Sequence, residues 1–131
     1  MASLKLKTLN VSIACDAEKV YTFVSNPENL PKWAKTFVKS IKQSGQAWEI
    51  DTAEGSMKIR FAPKNDFGIV DHFINPAPGV EIYVPMRVVP NGEGSEVIFT
   101  LFQGPGMSDE QFLSDQKMVA QDLNTLKTLL G

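Results

Sequence analysis

Histidine and cysteine are nearly missing from this chain, with His72 and Cys15 each the sole residue of its kind among 131. One thiol excludes an internal disulfide framework. One thiol and one imidazole together exclude zinc sites built from several such ligands, so no metal and no cofactor is expected. Long apolar runs are also lacking: nothing approaches the roughly 20 residues of a membrane span. Lys5, Lys7 and Asn10 interrupt the opening segment where a secretory signal needs a continuous apolar stretch, so the expected location is cytoplasmic. A basic surplus is missing too. The 13 Lys and Arg stand against 15 Asp and Glu, a formal net charge of -2, which argues against nucleic acid as the main partner. Up to Lys42 seven lysines face only Asp16, Glu18 and Glu28. That basic stretch reads as a solvated face, or as a rim attracting an anionic ligand.

What is present is an ordinary globular composition, 43% hydrophobic and 21% charged, at a length that suits a single domain spanning 1–131. The opening segment carries Leu4 and Leu6 on one parity and Leu9, Val11 and Ile13 on the other, predicting one strand with a bulge or twist near Thr8. Asp16 offers a helix N-cap ahead of Val20, Phe23 and Val24, and Asn26-Pro27 ends that helix. Pro27 to Ala34 starts a second short helix with Leu30 and Trp33 on one side. Period-two segments follow: FVKSIK, QAWEID, SMKIRF, FGIVDHFI, VEIYVPMRVV and SEVIFTLF. They predict six further strands.

Asn91-Gly92 reads as a two-residue type I′ turn that sets Pro90 opposite Glu93. In that register Ile82, Val84, Met86 and Val88 share a face with Val97, Phe99 and Leu101, while Arg87 meets Glu96 on the other face, beside Tyr83 and Thr100. Ser108-Asp109-Glu110-Gln111 forms a capping box that opens a long helix with Phe112, Val119, Leu123, Leu126 and Leu130 on its stripe, widened by Leu113, Met118 and Leu129. The order is that of an α+β domain: a curved antiparallel seven-stranded sheet wrapped round the C-terminal helix, with two short helices after the first strand. A sheet that curves away from its helix leaves an apolar cavity between them.

The stretches VSIACDAEKVYTFVSNPENLPKWAK, FGIVDH, VPMRVVPNGEGSEVIFTLF and GMSDEQFLSDQKMVAQDLNTLKTLL together resemble the START/Bet v 1-like (SRPBCC) superfamily, and within it the polyketide cyclase/dehydrase-like proteins. The resemblance covers nearly the whole chain. It implies a helix-grip fold and a deep cavity for a lipophilic small molecule. It carries over no catalytic residue, because the superfamily shares none across its functions.

Asp71 and His72 are the candidates for proton transfer or for orienting a ligand. Neighbours in a strand point to opposite faces, so at most one looks inward. The sequence leaves open which, since Phe67, Ile69 and Phe73 accompany Asp71 while Val70 and Ile74 accompany His72. Trp33 is either an anchor for the second short helix or a lip of the pocket, and Phe37 shares that ambiguity. Met57, Ile59, Phe61, Val84, Met86, Phe99 and Met118 are core residues that double as candidate cavity lining, the methionines being suited to irregular ligands. Cys15 reads as a packing residue, and Gly104-Pro105-Gly106 as a flexible turn bordering the pocket. The expected function is binding of a lipophilic or aromatic small molecule. The alternative is a cyclase or dehydratase that uses Asp71 or His72 in the same cavity, and a homodimer is a candidate assembly under either reading.

Overall fold

The computed structural model describes residues 3–131. Its elements run β1 (Leu6–Ile13), α1 (Ala17–Val24), a 3-10 turn (Pro27–Asn29), α2 (Leu30–Trp33), β2 (Ser40–Ser44), β3 (Ala47–Thr52), β4 (Gly55–Phe61), β5 (His72–Ala77), β6 (Val80–Val84), β7 (Met86–Asn91), β8 (Gly94–Phe102) and α3 (Asp109–Leu130). The strands form two antiparallel sheets of order β1-β8-β7 and β2-β3-β4-β5-β6. α3 packs chiefly on β1 and on α2. The α+β, helix-grip expectation holds.

Among the described residues there are eight strands rather than seven, because Pro85 divides the run read as one strand. Proline brings no N–H to a ladder. β6 therefore stays with β5 while β7 turns the corner and pairs with β8. The Asp71 carboxylate staples that corner, accepting from the Met86 N–H at 3.0 Å and from Arg87 at 2.8 Å through one oxygen, and from the Tyr83 hydroxyl at 2.9 Å through the other. The free edge of β7 is covered by the segment entering β5: Val70 N–H donates to Met86 O, and Val88 N–H donates to Gly68 O, both at 2.9 Å. Gly68 has to be glycine, with φ +71° and a Cβ position only 2.0 Å from the Val88 carbonyl oxygen.

The same segment corrects another expectation. FGIVDHFI enters the ladder of β5 only at His72, because Asn65 folds the preceding residues into a loop: its side-chain oxygen accepts from the N–H groups of Phe67 and Ile69. Phe37 and Val38 likewise precede β2, since their N–H groups bond back to Ala34 O. No bulge interrupts β1, whose register with β8 is continuous from Leu6 to Ile13; Leu6 lies on the outward parity and is exposed.

The β7–β8 hairpin turns on Gly92-Glu93, pairing Asn91 with Gly94 and Pro90 with Ser95. The slip from the expected register is two residues, and an even slip preserves faces. Val84, Met86, Val88, Val97 and Phe99 are accordingly buried, whereas Ile82 is 43% exposed. The cross-strand pairing of Arg87 with Glu96 does not form. Arg87 lies opposite Ile98 and ion-pairs with Asp71, while Glu96 accepts from Asn10, Ser12 and Asn91.

Both helix starts follow the sequence. Asp16 accepts from Lys19 N–H, and Ser108 from Gln111 N–H. The Gln111 side chain, however, turns forward to Asp115 instead of back to the cap, so the box is half made.

Candidate functional site

Three adjacent strands bring Phe61, His72 and Val84 side by side, because His72 is the cross-strand partner of both. Ile59 and Met57 continue the inner face along β4, while Met86 and Phe99, which pair with each other, extend it across the corner. All are buried except Phe61, which is half-buried. His72 thus lies in an apolar face, its ring centroid 5.1 Å from that of Phe61 and 6.0 Å from that of Phe99.

The open choice between the two neighbours is resolved: His72 is inward and 5% exposed, and Asp71 is on the opposite face with both carboxylate oxygens engaged. The Nδ1 of His72 is 3.1 Å from Val70 O. A carbonyl oxygen can only accept, so Nδ1 carries the proton and Nε2 the lone pair. Burial pushes the imidazole down to about 4, against smaller opposing effects of that hydrogen bond and of the Asp71 charge. The ring is neutral at neutral pH.

Trp33 is an anchor: it is 3% exposed in α2, and its indole N–H is buried without a hydrogen-bond partner. Phe37 is half-buried against the core. Met118 is half-buried on α3, on the turn before Asp122. Asp122 carried no signal in motif reading and turns out to fix the helix. It accepts from Thr36 N–H at 3.0 Å and from the Thr36 hydroxyl at 2.7 Å, and burial raises its pKa despite those bonds. A carboxylate between Val119 and Leu126 on an apolar stripe is the feature that marks it.

α3 covers the inner face unevenly. Leu123 and Leu126 are fully buried, whereas Phe112, Met118 and Val119 toward its start are only half-buried and Leu113 is 52% exposed. Two depressions, of about 330 and 420 Å³, lie elsewhere, against β2–β4 and the β5–β6 turn. Ser40, Lys42, Glu49, Asp51 and Ser56 make the first polar. Cys15 packs against the core, and no cluster of three or more metal-ligating side chains occurs among the described residues. No helix is long and apolar enough to cross a membrane.

No family model and no curated protein matches the sequence. Solved structures do. The protein XoxI from Bacillus cereus superposes with a TM-score of 0.79 at 19% identity, covering 97% of this chain and 96% of that one. The di-domain ARO/CYC BexL from the BE-7585A biosynthetic pathway gives 0.75 at 13% identity, over 95% of this chain and 46% of its own. A START superfamily protein from Mycobacterium smegmatis gives 0.66 at 13% identity, over 96% and 99%. At such identities the likeness is one of fold, and the chain has the helix-grip fold of the START/Bet v 1-like superfamily.

Proposed function

We propose that this protein binds a lipophilic or aromatic small molecule between the inner face of the sheet and the first half of α3. The observation that carries the reading is the incomplete cover: Phe112, Met118 and Val119 stay half-buried along the first half of α3, ahead of the Asp122 clamp and the sealed Leu123 and Leu126. A ligand in that space removes apolar surface from water on both sides, at roughly 25 cal/mol per Å². Phe61 and Phe99 supply aromatic walls, Met57, Ile59, Val84 and Met86 an aliphatic floor, and Met118 an adaptable cover.

The test is titration with the neutral fluorophore N-phenyl-1-naphthylamine, alongside native mass spectrometry of the freshly purified protein. Saturable one-site binding that weakens severalfold in Met118→Trp, where the larger ring fills the space, is the expected result. Absence of saturable binding, or binding indifferent to Met118→Trp, overturns the reading. A cyclase or dehydratase role is the second reading, supported by the likeness to the ARO/CYC fold. In this chain it rests on His72 alone, since Asp71 is held on the other face. Conversion of a bound polyketide, lost in His72→Phe while binding persists, distinguishes it from simple binding.

A further inference from the structure

His72 Nε2 is a polar atom of the inner face without a protein partner, and its chemistry is fixed. His72 Nδ1 is committed to the Val70 carbonyl, so Nε2 presents a lone pair, and among the described residues no donor reaches it. Its ring neighbours Phe61 and Phe99 and its cross-strand partner Val84 have no N–H or O–H on their side chains. An acceptor set among apolar side chains gains from a donor, and since none comes from the protein, one carried by a ligand is favoured there.

We infer that His72 Nε2 is the polar recognition point of the interior site and selects neutral lipophiles bearing a hydroxyl or N–H donor, such as phenols and alcohols, over their ethers and over carboxylates. The inference rests on the binding reading above and names the ligand class for that site. An ether of the same shape fills the space but brings a second acceptor to face the first. A carboxylate brings two acceptors and a charge, and the buried residues include no lysine or arginine to meet it. Arg87, on β7, is tied to Asp71 on the far face. The neutrality of the buried imidazole removes the remaining source of positive charge. Of the other buried polar residues, Asn29 donates to Phe23 O, Thr52 caps the β3–β4 turn through Gly55 O and Asp122 holds Thr36, while Ser95, whose buried hydroxyl has no partner, sits at the hairpin end of β8, four residues before Phe99.

The experiment compares 1-naphthol, 1-methoxynaphthalene and 1-naphthoate by isothermal titration against the wild type and His72→Phe, which keeps an aromatic ring and removes both nitrogens. The wild type is expected to bind 1-naphthol about tenfold more tightly than 1-methoxynaphthalene, and 1-naphthoate weakest. His72→Phe is expected to lose the preference for naphthol while holding methoxynaphthalene within about twofold of its wild-type affinity. Equal wild-type affinities, or a naphthol preference that survives His72→Phe, overturn the inference and leave the interior site standing. Failure of all three to bind overturns the site itself. Should the variant not fold, the ¹⁵N resonance of His72 Nε2 in the wild type decides: it moves with 1-naphthol and not with 1-methoxynaphthalene, and an equal response to both overturns the inference.

Discussion

The two ends of α3 rest on the same protein and are held very differently. At the C-terminal end Leu123 and Leu126 are sealed in the core, Asp122 grips Thr36, Lys127 Nζ donates to Ser12 O, and Ala14 N–H donates to the carbonyl of Gly131, the last two at 2.6 Å. At the N-terminal end the cap of Ser108 closes the first turn, but the apolar side chains that follow are half-buried at best. One amphipathic helix thus serves as a fixed support over half its length and as a loose cover over the other half. Under the binding reading proposed above, stability and ligand access fall to different turns, so changes at one end need not disturb the other.

The largest effect is expected where this contrast is sharpest. Leu126→Ala removes a fully buried side chain and should cost about 2–5 kcal/mol in urea unfolding, the range for a core cavity. Met118→Ala, on a half-buried turn, should cost under about half as much while weakening binding of the naphthylamine probe. Equal costs for the two substitutions would break the comparison.

A second contrast lies between Asp71 and His72, consecutive residues on opposite faces. The carboxylate is met by three donors, whereas the imidazole has one protein partner and apolar walls. The His72 pKa falls from 6.5 in the unfolded chain to about 4 in the fold, so the native state binds fewer protons between those values. Its contribution is complete above pH 6.5 and is lost as pH falls toward 4, amounting to about 3 kcal/mol at roughly 1.4 kcal/mol per pH unit. Urea midpoints should fall over that window in the wild type, and the fall should be shallower by this amount in His72→Phe. Identical pH profiles would mean that His72 is solvated rather than buried.

Local chemistry made much of the fold legible in the sequence. Asp16 and Ser108 start the helices they mark, and alternation places Met57, Ile59, Val84, Met86 and Phe99 on the buried face. The hairpin register differs from the expected one by two residues while the faces agree, because strand parity survives an even slip. The division at Pro85 was hidden by the same parity: Val84 and Met86 alternate correctly across the proline although they belong to different sheets. The orientation of Asp71 and His72 was hidden for another reason. The outer face is itself apolar around them, with Phe73 stacked on Tyr83 at 5.1 Å and Arg60 4.4 Å above the Phe73 ring, so alternation gave no contrast to read. Asp122 required tertiary knowledge, since its partner Thr36 is 86 residues away.

The smallest of these effects concerns the clamp itself, and its sign opposes that of His72. Burial raises the Asp122 pKa above its ordinary 3.8, outweighing the two hydrogen bonds from Thr36. The folded state therefore holds the proton more tightly than the unfolded chain does, and the contribution is complete below 3.8 and lost as pH rises through the raised value. Asp122→Asn mimics the protonated form. Its amide oxygen can accept from Thr36 N–H while its NH2 donates to the Thr36 hydroxyl, whose proton is then free for Met118 O. At neutral pH the variant should be at least as stable as the wild type and should lack this part of the pH dependence. Thr36→Val, which removes a donor but leaves the charge, should instead cost about 1–2 kcal/mol. A destabilised Asp122→Asn would show that the clamp needs the full charge of its carboxylate, and that the held end of α3 is fastened by electrostatics more than by the burial of Leu123 and Leu126.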